Sequence, residues 1–104
     1  MDATFNTPIV GATTAGLDLT QCYIDREHKT IEIIFAHVDA SGVVVDLLPR
    51  IVRRIGPDGY DAAISTIAVS NPSAKVAAML KAAGDPDFAN TTVDISTPSN
   101  PPLP

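Results

Sequence analysis

Residues 31–55, IEIIFAHVDASGVVVDLLPRIVRRI, decide the fold because they hold most of the strongly β-forming side chains of the chain. Residues 39–42, Asp-Ala-Ser-Gly, divide this stretch and suit a tight turn whose glycine adopts a left-handed conformation beside a β-bulge. We therefore predict a β-hairpin with one strand over residues 30–38 and the next over residues 43–48. The first of these strands is apolar on both faces, so one layer of helices would not cover it.

Pro49 interrupts the second arm of this hairpin, because proline has no backbone N–H to donate to a strand ladder. Residues 50–55 then resume a β-like pattern, in which Arg50, Arg53 and Arg54 are interspersed with isoleucine and valine. This basic strand is predicted to lie at an edge of the sheet. Its arginines admit three interpretations: solvated charges that guard the edge against aggregation, contacts to an acidic protein surface, or contacts to phosphates.

The segments on either side of the hairpin complete a small α+β domain. Residues 17–25 alternate as a strand, and the polar residues 26–29 form the loop that joins this strand to the hairpin. Apolar residues recur at helical spacing over residues 60–69 and again over residues 72–83. The predicted fold is thus an antiparallel β-meander of about three to four strands, packed by two short helices, with a further short strand over residues 91–96 at a sheet edge.

Extended arms are expected at both ends of a single domain that covers residues 17–96. Residues 1–16 have one charged side chain and no regular period, which indicates either a disordered arm or an arm that orders against a neighbouring subunit. Phe5, Ile9 and Val10 are the side chains that would anchor such an arm. Residues 97–104 contain four of the nine prolines and form a Pro-rich tail with polyproline-like character.

Composition narrows the possible functions. A net charge of −5 argues against a general binder of nucleic acid or of anionic membranes. No apolar run reaches the ~18 residues of a transmembrane helix, and the N-terminal residues lack the features of a signal peptide. Cys22 is the only cysteine, so no internal disulfide can form. A domain of this size buries only about 60–65% of its unfolded surface, which makes oligomerisation the most economical source of further burial.

The sequence does not indicate a metal site or a catalytic site. Cys22 and His37 together supply only two of the four ligands of a structural zinc site, and His28 lies in a loop. Asp85 and Asp87 lack the glycine and glutamate of a calcium-binding loop, and they suit a turn instead. A nucleophilic arrangement of Cys22, His37 and Asp46 has no local support, because no helix start or glycine elbow would present the thiol. We therefore expect no catalytic, cofactor or metal site.

The order of elements over residues 17–69 resembles a group of small proteins encoded among the structural genes of tailed bacteriophages. The matching features are the DREHKT turn, IEIIF, the DASG turn, VVVD, the basic strand, and a helix that begins with the pattern G-x-D-x-Y-D-A-x-I. The resemblance implies a virion protein of the tail, baseplate or capsid accessory type, built into a symmetric assembly. It brings no catalytic residues with it.

We predict a non-enzymatic structural protein that forms homo-oligomers within a larger assembly, most plausibly a phage virion. Its partners would be further copies of itself and neighbouring structural proteins, contacted through the terminal arms. The alternative is a small adaptor or regulatory module, cytoplasmic rather than part of a virion, that binds another protein through the exposed basic edge at residues 50–55.

Overall fold

A five-stranded antiparallel sheet forms the body of the protein. The computed structural model describes residues 2–9, 14–67 and 72–94. The order of strands across the sheet is β4-β3-β2-β1-β5, so that β2, β3 and β4 form a meander. The strands are β1 (Ala3–Ile9), β2 (Thr14–Asp25), β3 (Thr30–Val38), β4 (Ile51–Ile55) and β5 (Thr91–Thr92).

Two short helices follow β4 and pack on one face of the sheet. They are α1 (Tyr60–Ile67) and α2 (Pro72–Ala82), and a single 3₁₀ turn at Pro86–Phe88 precedes β5. Gly84 ends the second helical region with a φ of 86°, the left-handed conformation that helix ends favour. This arrangement confirms the predicted α+β fold class.

The hydrophobic core lies between the helices and the face of the sheet that they cover. Phe35 on β3 and Phe88 in the 3₁₀ turn are both fully buried, and their rings meet edge to face with centroids 5.0 Å apart. The contact connects the middle of the sheet to the segment after α2. The other buried members of this core are Ala3, Leu17, Ile31, Ile33, Ile51, Tyr60, Ala63, Val76 and Ala77.

A bulge in β2 changes which of its side chains face this core. Leu19 lies opposite Phe35, but the next paired residue, Gln21, lies opposite Ile34, so Thr20 is the extra residue. The Thr20 hydroxyl donates a hydrogen bond of 3.1 Å to the carbonyl oxygen of Ile34. Strict alternation along residues 17–25 would place Gln21 and Tyr23 on the face of Leu19. After the bulge, Cys22 and Ile24 pack against the core instead.

The hairpin at the centre of the fold closes through a longer loop than expected. β3 pairs with β4, with Ile31 opposite Ile55 and Phe35 opposite Ile51. The predicted strand over residues 43–48 is wrong, because only Val44 forms a bridge, to Val38. Residues 39–50 are therefore a loop, and the basic segment that follows it is the true partner of β3.

The N-terminal segment differs most from the expected arm. Ala3–Ile9 forms β1, which pairs with β2 on one side and with β5 on the other. Asp2 secures the start of this strand, since its carboxylate accepts a hydrogen bond of 2.8 Å from the backbone N–H of Leu19. Partial burial raises the pKa of the Asp2 carboxyl. Residues 3–9 and 14–16 thus belong to the sheet, rather than to an arm outside the domain.

The predicted C-terminal elements are described in part. Thr91 and Thr92 pair with Phe5 and Thr4, which adds a short strand at the sheet edge. Of the strand predicted over residues 91–96, residues 93–94 are not in a strand and residues 95–96 lie outside the described residues. The end of the first helix beyond residue 67 and the tail at residues 97–104 lie outside the described residues. The Pro-rich tail remains a prediction.

Candidate interaction surface

The face of the sheet opposite the helices carries the features that distinguish this protein, and we call it the open face. On β3, Ile34 alternates with the buried residues Ile33 and Phe35 and so points away from the core. The residues paired with it, Gln21 on β2 and Val52 on β4, lie on the same face. An apolar isoleucine at the centre of a helix-free face is therefore bordered by a polar and an apolar neighbour.

The loop of residues 39–50 lies over one end of this face. The carboxylate of Asp39 shapes its first turn by accepting hydrogen bonds from the backbone N–H groups of Ser41, at 2.8 Å, and Val43, at 3.0 Å. Val45 N–H then donates to the His37 carbonyl oxygen at 2.8 Å, which fastens the loop to the end of β3. Val38 is consequently only 1% exposed, although it lies on the open face.

A groove of about 360 Å³ remains between this loop and the strands. It lies next to the covered end of β3, and its volume is in the range of pockets that accept small ligands or apolar side chains. Aliphatic side chains of β3, β4 and the loop line it, together with polar side chains of β2 and the loop. The lining residues are Thr20, Gln21, Ile34, Val44, Arg50 and Val52.

Large apolar side chains of the loop and of the open face are exposed to solvent. Leu47, in the loop, is 96% exposed, and Val43, in the same loop, is 60% exposed. On the strands, Tyr23 is 55% and Val52 is 48% exposed. Single exposed apolar residues are ordinary on protein surfaces. Four on one loop and the adjoining sheet face make this region the candidate for an interaction surface.

Charges of both signs stand at the margin of the open face. Arg50 lies 3.6 Å from Asp46, and both side chains are largely exposed, by 44% and 86%. Arg54 on β4 lies directly opposite Glu32 on β3. Exposed pairs of this kind contribute little to stability. These four side chains balance one another, but Asp18, opposite Ala36 on the same face, adds a further carboxylate.

Arg53 is not part of this surface. Its partner in the sheet is the buried Ile33, so it points toward the helical layer. Its Nε donates to Asp85 Oδ2 at 2.6 Å and its Nη2 donates to Asp85 Oδ1 at 3.1 Å, while Nη2 also reaches Asp87. This bond raises the pKa of Arg53 and lowers the pKa of Asp85. The predicted role of Arg53 in binding a partner does not fit this geometry, because the side chain is already bound within the chain.

Phe5 also has an internal role rather than the predicted role of an arm anchor. Its ring stacks on the His37 imidazole with centroids 5.8 Å apart, and it packs against the core. The His37 ring nitrogen Nδ1 lies 3.4 Å from the Thr14 hydroxyl, and burial lowers the pKa of His37. The side chain of Ile9 and all of Val10, the other two proposed anchors, lie outside the described part of the chain.

The residues considered as catalytic or metal-binding groups do not lie together in the structure. Cys22 lies opposite Ile33, four positions along β3 from His37, which corresponds to roughly 13 Å of strand. Burial raises the pKa of the Cys22 thiol, which disfavours the reactive thiolate. Across residues 2–9, 14–67 and 72–94, no group of three or more His, Cys, Asp or Glu side chains could hold a metal ion.

The two helices can also be compared with the length and hydrophobicity that a membrane-spanning helix needs. Within the part of the chain that the structure describes, neither helix is long and apolar enough to cross a bilayer.

Sequence reasoning missed Leu47 and Tyr23 as surface features. The prediction of a strand over residues 43–48 placed Leu47 in the sheet, and the bulge at Thr20 was not foreseen, so Tyr23 was assigned to the wrong face. The available signal was the apolar character of both faces of β3, which pointed to a second covering layer.

Comparisons with protein-family models, with curated proteins and with solved structures found no match to this chain. The open face must therefore be interpreted from its own geometry.

Proposed function

We propose that this protein is a non-enzymatic structural component that self-associates within a larger assembly. One observation carries the proposal: large apolar side chains are exposed on the helix-free face of the sheet and on the loop of residues 39–50, and this face and loop together line a groove. Contact with another protein surface would remove these side chains from water, and each fully buried large apolar side chain favours association by about 1.5–3 kcal/mol.

The small size of the domain supports the same proposal. The main core cluster lies on one side of the sheet. On the other side Ala36 and Val38 are buried, but Ile34 is only half-buried and Val52 is exposed in the isolated chain. Pairing of open faces would give the sheet a second covered side. A stable interface generally buries at least ~500 Å² on each partner, and the proposed contact would have to reach this area.

A tailed-phage particle is the setting that we propose for this assembly. The support is the resemblance of residues 17–69, in the order of their elements, to small proteins encoded among phage structural genes. Such a particle would present many copies of the chain in symmetric contact, which suits a surface built for self-association. Copies would be made in the host cytoplasm and then built into the virion.

Native mass measurement tests the proposed self-association directly. Light scattering coupled to size-exclusion chromatography should give the full-length chain a mass that is a whole-number multiple of 10.9 kDa at micromolar concentration. Monodisperse monomer up to hundreds of micromolar would contradict the proposal. For the virion setting, the flanking genes should encode capsid, portal or tail proteins, and a locus without them would argue against it.

An adaptor function is the second candidate, and the edge position of β4 favours it. β4 lies at one edge of the sheet, and it carries the exposed Arg54, with Arg50 just before it in the chain. An edge strand can bind an extended segment of another protein through its backbone, and the two arginines would favour an acidic one. The double substitution Arg50→Glu and Arg54→Glu should abolish binding to an acidic partner peptide. The adaptor hypothesis fails if such binding persists.

A further inference from the structure

The sheet has one of its edges at β4, and hydrogen bonds within the fold show which backbone groups of this strand point outward. The Ile34 carbonyl oxygen accepts from the Thr20 hydroxyl on β2, so the backbone groups of Ile34 face β2. The His37 carbonyl, three positions along β3, accepts from the loop that leads to β4, as alternation requires. Val52 lies opposite Ile34, so this pair makes no backbone hydrogen bonds. The backbone groups of Val52 and Arg54 therefore point away from the sheet.

The Arg53 guanidinium covers one of these outward groups. Its Nη1 donates a hydrogen bond of 2.9 Å to the carbonyl oxygen of Val52. Asp85 holds the same guanidinium through bonds of 2.6 and 3.1 Å, and Asp87 adds a further bond. The Asp85 side chain is nearly buried, which fixes the arginine in place. A strand that pairs with this edge must donate to the Val52 carbonyl oxygen, where a cation is already bound.

We infer that Arg53 is an autoinhibitory contact, which closes the β4 edge to pairing with β4 of a second copy. In an antiparallel pair with two-fold symmetry, the outward residues bond one another, so Val52 of each copy lies opposite Arg54 of the other. Arg53 then lies opposite Arg53 of the second copy, and both guanidiniums must leave their carbonyl oxygens before the strands can pair. Charged side chains that block an exposed edge in this way are a common protection against unwanted strand pairing.

This inference goes beyond the proposed self-association, which uses the open face, and it does not depend on it. Among the three interpretations of the basic strand, it selects protection of the edge. The protecting arginine is bound to Asp85 and Asp87 rather than solvated. It also sets a condition for the adaptor candidate, because a partner strand would likewise have to displace Arg53 from Val52.

Residue-resolved amide hydrogen exchange, measured by NMR on the full-length chain, tests the inference. Arg53→Gln is the main variant, because glutamine Nε2 lies the same number of bonds from Cα as arginine Nε and can still donate to Asp85. Nothing then covers the Val52 carbonyl. Exchange of the Val52 and Arg54 N–H groups should slow about tenfold in this variant as its concentration rises from about 50 µM to about 1 mM, because edge pairing bonds both groups.

The unmodified chain is the first control for this measurement. Its Val52 and Arg54 N–H groups point outward and should exchange quickly at the lower concentration. Any slowing that association through the open face causes at the higher concentration is common to both chains, so the variant must exceed it. The inference is overturned if the folded Arg53→Gln chain shows the same concentration dependence as the unmodified chain. Strong protection of either N–H in the unmodified chain at low concentration would also overturn it.

Arg54→Gln is the matched control, since it removes one arginine from the same strand and leaves the bond from Arg53 to Val52 in place. Its exchange should follow that of the unmodified chain. If it gains the protection expected of Arg53→Gln, the loss of any positive charge opens the edge and the role assigned to Arg53 is wrong. Arg53→Met also lacks the Nη1 donor, and it should gain the same protection as Arg53→Gln. Light scattering on the unmodified chain decides the proposed self-association separately.

Discussion

Replacing Arg53 with methionine removes the charge that connects the sheet to the segment after α2, while it retains most of the aliphatic stem. In the native chain the guanidinium makes two bonds to Asp85, at 2.6 and 3.1 Å, and a third to Asp87. The Asp85 side chain is only 7% exposed. The substitution therefore leaves a nearly buried carboxylate without its cation.

The expected loss of stability follows from the exposure of the two partners. A hydrogen bond to a charged group contributes about 1.5–3 kcal/mol, and leaving one partner of a fully buried pair unpaired costs about 3–5 kcal/mol. Arg53 is 31% exposed, so solvent screens part of this interaction. We expect a decrease of about 2 kcal/mol in the free energy of unfolding, which corresponds to a fall in Tm of roughly 10 °C.

Urea denaturation followed by circular dichroism measures this loss, and the pH dependence identifies its source. Arg53 lowers the pKa of Asp85, so the stabilisation is fully present above the pKa of the unfolded chain, at about pH 4. It disappears as the pH falls through the lower pKa of the folded state. The difference between the native chain and Arg53→Met should therefore be constant from pH 7 to about pH 5 and shrink toward pH 2.

Arg54→Met is the matched control, because the neighbouring arginine lies on the open face and is exposed. It should change stability by no more than about 0.5 kcal/mol. A double-mutant cycle of Arg53→Met with Asp85→Asn should give a coupling energy above about 1 kcal/mol. Equal effects of the two arginine substitutions, or a coupling energy near zero, would refute the reasoning.

Three further predictions concern the core, a turn and the thiol. Phe88→Ala should lower the free energy of unfolding by about 3–5 kcal/mol in urea titrations, because it opens a cavity beside Phe35. A loss below about 1 kcal/mol would contradict this packing of the two rings. Gly56→Ala should lower the free energy of unfolding by more than about 3 kcal/mol, because a Cβ at this positive φ would overlap the backbone of Lys29. Gly42→Ala, which has open space around the added Cβ, should lower it by only about 1–2 kcal/mol. Similar losses for the two variants would refute this contrast. Alkylation of Cys22 by iodoacetamide at pH 8 should be at least ten times slower in the folded chain than in urea, because burial raises the pKa of the thiol, and equal rates would show that it is accessible.

The strands with a clear local pattern were predictable from the sequence. The strand over residues 30–38 matches β3 at both ends, and residues 51–55 form the basic edge strand that was expected. Isoleucine and valine favour strands when other residues bury them, so the local preference of these segments agrees with their positions in the sheet. The helices at Tyr60–Ile67 and Pro72–Ala82 likewise follow their apolar spacing.

The errors arose where pairing depends on distant residues. Ala3–Ile9 is rich in polar residues and contains Pro8, so its local pattern gives no strand signal, and its place in the sheet depends on partners in β2 and β5. Residues 43–48 have strong β preference, but β4 occupies the position beside β3 that they would need. The bulge at Thr20 then reversed the faces of the residues after it.

The sequence predicts that one face of the sheet is left uncovered by the helices, but it does not predict which residues form the surface there. Two apolar faces on one strand indicated that the helices alone would not cover the sheet. The sequence could not show that Arg53 turns inward to Asp85 while Arg54, one residue later, faces solvent. That separation depends on the long-range contact between β4 and the segment after α2.

The pairing of β1 with β5 has a consequence for the order in which the chain folds during synthesis. The Thr92 hydroxyl donates to the Asn6 side chain across a sequence separation of 86 residues. The meander of β2, β3 and β4 can form once residue 55 has emerged from the ribosome, but β1 must wait for residues 91 and 92 before both of its edges are paired. Until then, the nascent chain exposes one side of β1 as an unpaired template that a neighbouring nascent chain on the same message could occupy.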